Sequence, residues 1–139
     1  MGNSVTFRKI NFEDMQKVIN NKNYIVINTL DLSEQKCLIK GTIDSKHEEE
    51  TINKKLNTCK NISIVIYGKN SNDETVYKKH SQLASLGFTN IFIYTGGIFE
   101  WLLLQDIYGD DNFPSTSKDL DILRYKSTQI LNNNKITNY

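Results

Sequence analysis

Three short apolar runs stand out from a largely polar chain: Tyr24-Ile25-Val26-Ile27-Asn28, Ile62-Ser63-Ile64-Val65-Ile66-Tyr67 and Ile91-Phe92-Ile93-Tyr94. Each is β-branched, short and bounded by Asn, Lys or Gly, the signature of a strand buried on both faces. Thr6 to Ile10 is a weaker extended candidate, and Gly41-Thr42-Ile43 offers a very short one.

Helical signals fill the gaps between these runs. Asn11-Phe12-Glu13-Asp14 supplies a capping residue and two acids for a helix reaching about Asn20, and Glu48 to Leu56 places acids first and lysines last, as the helix dipole favours. From Glu74 to Leu86, Val76, Leu83, Ala84 and Leu86 suit an amphipathic helix stopped by Gly87; after Gly96-Gly97, Ile98 to Tyr108 predicts a largely buried one. Strand alternating with helix predicts an α/β fold, with a mainly parallel sheet of about five strands and helices on both faces. Gly109 to Pro114 reads as a linker and Ser115 to Tyr125 as a short C-terminal helix. The polar end from Asn132 to Tyr139 is expected to fray. The organisation expected is an N-terminal signal over 1–5, one domain over 6–108 and an extension over 109–139.

Composition narrows the function. With 139 residues, one domain is the default, and 17 basic against 16 acidic side chains give a formal charge of +1. No global field is available to attract nucleic acid, so no nucleic-acid partner is expected. Cys37 and Cys59 are too few for a disulfide scaffold and lack metal-ligand spacing. No secretory leader is visible, which points to a reducing, intracellular and cytoplasmic setting. No metal or cofactor is called for, and no apolar run approaches the length of a membrane helix.

In an open parallel sheet, ligands gather where loops leave the carboxyl ends of strands, which makes the loop after Tyr67 the candidate site. The sequence there runs Ile64-Val65-Ile66-Tyr67-Gly68-Lys69-Asn70-Ser71-Asn72-Asp73-Glu74. A helix follows, then Leu86-Gly87-Phe88, the next strand, Gly96-Gly97 and Trp101. This order and spacing resembles the rhodanese-like superfamily, which includes sulfurtransferases and Cdc25-type phosphatases. Gly41-Thr42-Ile43 looks like the family's Gly-His-Ile motif with threonine in place of histidine. One register then sets Asp31-Leu32-Ser33 against the family's Asp-Val-Arg, and a second sets Asn28-Thr29-Leu30 there; in both, the arginine is missing. The resemblance covers about residues 6 to 108 and is strongest from 62 to 101. Phe88 and Trp101 are expected to fill the core.

The resemblance implies a thiolate at the first loop position of active members, surrounded by backbone N–H groups. Here that position is Gly68, which cannot form a persulfide or phosphocysteine. Near the loop's end, where the family often carries arginine, stand Asp73 and Glu74, which disfavour an anionic substrate and leave Lys69 as the loop's cation. The leading expectation is a catalytically inactive module whose active-site-like loop Gly68, Lys69, Asn70, Ser71, Asn72 and Asp73 binds a protein partner, together with the surface from Asp31 to Lys40. The alternative is a thiosulfate sulfurtransferase-type or phosphatase-type enzyme with a relocated thiol such as Cys37. Cys59, His47 and His80 are read as structural or surface residues.

Met1-Gly2-Asn3-Ser4-Val5-Thr6 fits the pattern for N-myristoylation at Gly2. One acyl chain gives reversible membrane binding, and Arg8 and Lys9 are too few cations to make it stable. A protein that is cytoplasmic and peripherally attached to a membrane would follow, in keeping with an adaptor.

Overall fold

The computed structural model describes residues 6–131. Gly2 and the expected frayed end from Asn132 onward lie outside the described residues. Four strands, β1 (Arg8–Ile10), β2 (Tyr24–Asn28), β3 (Ser63–Tyr67) and β4 (Asn90–Tyr94), form one parallel sheet in the order β1-β4-β3-β2. The helices are α1 (Phe12–Val18), α2 (Ser45–Thr58), α3 (Thr75–Leu86) and α4 (Gly97–Tyr108).

Alternation along the strands divides the core in two. Ile64 and Ile66 of β3 face Ile25, Ile27, Ile91 and Ile93, and this layer packs against Ile52 of α2 and Val76 and Leu83 of α3. Val65 and Tyr67 face the opposite way, joining Met15 and Val18 of α1 and Ile98, Trp101 and Leu102 of α4. Helices therefore cover both faces, as the strand and helix alternation requires. Phe88 and Trp101 are buried as anticipated.

Three expectations need correction. The sheet has four strands rather than about five, because Gly41-Thr42-Ile43 contributes a single bridge, Val26 to Thr42, backed by the Ile43 N–H on Val26 O at 2.9 Å. Helix α2 begins three residues before Glu48, since the Asp44 carboxylate accepts the Lys46 N–H at 2.9 Å and caps it. The stretch from Ser115 to Tyr125 is not an α-helix: it is an irregular segment ending in a 3-10 turn, Ile122–Tyr125.

That segment is an integral part of the fold. Ser115 bridges Ile39, Trp101 Nε1 donates to Pro114 O at 2.9 Å, and Phe113 and Tyr125 are buried with the α1 and α4 side chains. The polar residues of Ser115 to Ser117 spend their hydrogen-bonding capacity on the 36–39 segment and on Gln105, which a helix would forbid.

Candidate functional site

Strand β3 runs directly into Gly68, and the loop 68–74 then turns into α3. Its path is fixed from beneath by α4, where the Ile98 and Phe99 N–H groups donate to the Gly68 and Lys69 carbonyls, each at 3.0 Å. Gly97 makes this approach possible. Its φ is +70°, and a Cβ there would sit 2.7 Å from the Gly68 oxygen and 2.9 Å from Asn70 N.

Within the loop, Asp73 is the organising side chain. One carboxylate oxygen accepts the Lys69 N–H at 2.8 Å. The other accepts the Thr75 N–H at 3.0 Å and the Thr75 hydroxyl at 2.5 Å. A Cβ built on Gly68 would run into Asp73 Oδ2, with Asp73 Cγ and Thr29 Oγ1 each 2.9 Å away. The volume that a side chain at 68 would enter is thus filled by a carboxylate and a hydroxyl. A loop amide of the kind that would hold an anion holds the protein's own.

A cleft of about 690 Å³ opens beside this loop. Asp31, Glu34, Asp73 and Glu74 line it, with Lys69 as the basic lining residue. Lys69 Nζ is paired with Glu34 Oε2 at 2.8 Å, so its charge is met within the cleft. The far wall is the C-terminal segment: Ser127, Thr128 and Ile130 line the cleft, and Asn70 Nδ2 donates to Tyr125 O at 2.9 Å.

The residues singled out in the sequence are therefore partly assembled. Lys69 to Asp73 and Asp31 line the cleft, whereas neither Gly68 nor Cys37 does. Cys37 is 1% exposed and donates its thiol proton to Ser117 O at 3.2 Å, under the C-terminal segment. Cys59 follows α2 and bonds Asn61. His47 is exposed beside Glu50. His80 is buried edge-on to the Phe7 ring, its Nδ1 without a partner among the described residues. Of the two registers for the first motif, Asn28-Thr29-Leu30 leaves the sheet beside the loop, and Thr29 is the residue that touches it.

Thr75 and the C-terminal wall were missed in the sequence, and Thr29 and Glu34 were covered only as members of the Asn28-Thr29-Leu30 register and the Asp31 to Lys40 surface. The Asp73-Glu74-Thr75 spacing carried a usable signal, since an aspartate two residues before a helix N–H is a capping arrangement. Glu34 carried none, because its approach to Lys69 depends on how the 29–40 segment folds back.

Beneath the site, Tyr67 is fully buried and its hydroxyl closes a small ring: it accepts from Ile39 N–H at 3.1 Å and lies 2.7 Å from Thr42 Oγ1. The Thr42 hydroxyl in turn donates to Ile39 O at 2.6 Å. Burial first, opposed by these hydrogen bonds, pushes the Tyr67 phenol above its ordinary range, so it stays protonated. Threonine in the Gly-Thr-Ile motif thus ties the single bridge to the end of β3.

Among the described residues, no group of three or more His, Cys, Asp or Glu side chains is placed to hold a metal ion. No helix there is long and apolar enough to cross a membrane.

Comparison with known proteins agrees with the fold. The chain resembles the rhodanese-like domain of a protein from Anabaena sp., at 17% identity and TM-score 0.58 over 96% of this chain and 95% of that one. A single-domain sulfurtransferase of Saccharomyces cerevisiae matches at 15% identity and TM-score 0.58, over 81% of this chain and 100% of its own. A protein from Bacillus halodurans matches at 20% identity and TM-score 0.58, over 73% and 74% of the two chains. No curated protein matches the sequence. At such identities the neighbours speak to architecture alone. The family model described as "Rhodanese-like domain" matches residues 11–104, two thirds of the sequence, and on that match the chain belongs to the rhodanese-like domain family.

Proposed function

We propose that this chain is a catalytically silent rhodanese-like module that uses the cleft beside the loop after β3 to bind a protein partner. The observation that carries the reading is Asp73. Its carboxylate takes the Lys69 N–H and fills the space next to Gly68, where a sulfur-transferring member of the family would carry its cysteine. A thiosulfate or phosphate would have to displace a bound carboxylate and enter beside Asp31, Glu34 and Glu74. No nucleophile would await it at 68.

Burial of Cys37 beneath the C-terminal segment supports the same reading, since a nucleophilic thiol must meet its substrate. Attachment through a myristoylated Gly2 belongs to this proposal and rests on the sequence pattern; one acyl chain would give reversible anchoring and leave the cleft available to a partner.

The test is sulfur transfer from thiosulfate to cyanide by the purified full-length chain. Rates equal to the buffer control are expected. Turnover clearly above control and abolished by thiol alkylation would overturn the reading.

A further inference from the structure

The helices differ in what they show to solvent. Every exposed position of α1 and α2 is polar, Glu13, Asp14 and Lys17 on the first and Lys46, Glu49 and Lys54 among those on the second. Helix α4 is apolar on all sides instead, the composition of a helix with neighbours all round, and its sequence predicts burial. Ile98, Trp101 and Leu102 do meet the core. On the outer side, Leu103 and Ile107, one turn apart, stay exposed; Ile107 is 69% exposed and its neighbour Tyr108 62%. The helix is too short to cross a membrane, so lipid does not account for the pattern.

The charges around this face have one sign. From Gly96 to Ser117 the chain carries Glu100, Asp106, Asp110 and Asp111 and no lysine or arginine. Lys118 reaches back to Asp110 at 3.4 Å, while Asp106 and Asp111 have no ion-pair partner among the described residues. Asp106 stands in the last turn of α4, and Asp110 and Asp111 follow just beyond it. That is the negative end of the helix dipole, where acids are unfavourable and cations are welcome. A chain of formal charge only +1 thus gathers acids around an exposed apolar stripe.

We propose that the outer face of α4 docks a cationic amphipathic helix of a partner protein. The partner's apolar residues would lie on Leu103, Ile107 and Tyr108, and its lysines or arginines against Asp106 and Asp111. Apolar residues one turn apart suit a helical occupant, whose own anchors recur at the same spacing. Charge selects among occupants. A second copy of this chain would bring the same acids onto themselves, and an anionic bilayer would repel them, whereas a basic helix is attracted and also relieves the end of the helix dipole. Leu103, Ile107 and Tyr108 do not line the cleft beside the loop after β3, so the inference stands whatever that cleft binds.

The experiment titrates the full chain into a fluorescein-labelled synthetic helix with leucine at heptad positions a and d and lysine elsewhere, read by anisotropy. Saturable binding is expected. It should weaken about tenfold or more when Leu103→Ser and Ile107→Ser are combined, and several-fold in Asp106→Lys. The urea midpoint of Asp106→Lys should not fall, since that side chain is exposed at the negative end of the dipole. The same peptide with glutamate in place of lysine should not bind. No saturable binding, or equal binding by the α4 variants, would overturn the surface. Loss of binding in Glu74→Gln with the α4 variants unaffected would place the peptide in the cleft and overturn it too. Dimerisation in sedimentation that Ile107→Ser abolishes would assign the face to a second copy, and phosphatidylserine-vesicle binding abolished by the same variant would assign it to a membrane; either result overturns the partner.

Discussion

The Asp73 carboxylate lies folded over Gly68, one oxygen on the Lys69 N–H at 2.8 Å and the other on the Thr75 N–H at 3.0 Å. Glycine at 68 and aspartate at 73 are therefore one structural arrangement. The loop is an internally satisfied turn whose aspartate also takes the first N–H of α3.

A cysteine placed at 68 should accordingly damage the protein. Gly68→Cys places Cβ against Asp73 and within 2.9 Å of Thr29 Oγ1, and overpacking of this kind costs about 1–3 kcal/mol. A lower urea midpoint is expected, largely recovered in the double variant Gly68→Cys with Asp73→Ser. A single variant as stable as the parent would show that the loop has room to spare.

The two thiols should differ sharply in reactivity. Cys37 is 1% exposed with its proton on Ser117 O, whereas Cys59 is only partly covered. Timed labelling with a maleimide under native conditions, mapped by mass spectrometry, should modify Cys59 first, with Cys37 following only when the chain opens. Equal or faster labelling of Cys37 would revive it as a relocated nucleophile.

His80 should make stability fall in mild acid. Burial first, and then the Arg8 charge, hold its imidazole below the ordinary 6.5. As pH falls through 6.5 the unfolded chain takes up the proton before the folded one. The stability this neutral histidine confers is therefore complete above that pH and drains below it. The urea midpoint should drop between about pH 7.5 and pH 5.5, and His80→Leu should flatten the drop. An identical slope in the variant would assign the acid sensitivity elsewhere.

Much of this was legible in the sequence because local pattern and tertiary role agree. Ile64 to Tyr67 is apolar because both faces of β3 are covered, and Gly87, with φ +112°, ends α3 because a left-handed residue is needed there. The C-terminal segment was not legible. Phe113 and Tyr125 are isolated apolar residues with no period, and the anchors of the segment, Ile39 for Ser115, Trp101 for Pro114 and Asn70 for Tyr125, are distant in sequence. At the site, the loop after Tyr67 could be picked out because it leaves a buried strand, and Asp73 as an acidic residue near a helix start. That Asp73 would turn back into the space beside Gly68 depends on loop conformation, which residue types alone do not encode.

The central claim is that no thiol of this protein carries sulfur. Its most direct test is the intact mass of the full-length chain after incubation with thiosulfate under non-reducing conditions. An unchanged mass is expected. A species heavier by one sulfur atom, discharged by cyanide, would contradict the account and identify the chain as a working sulfur carrier.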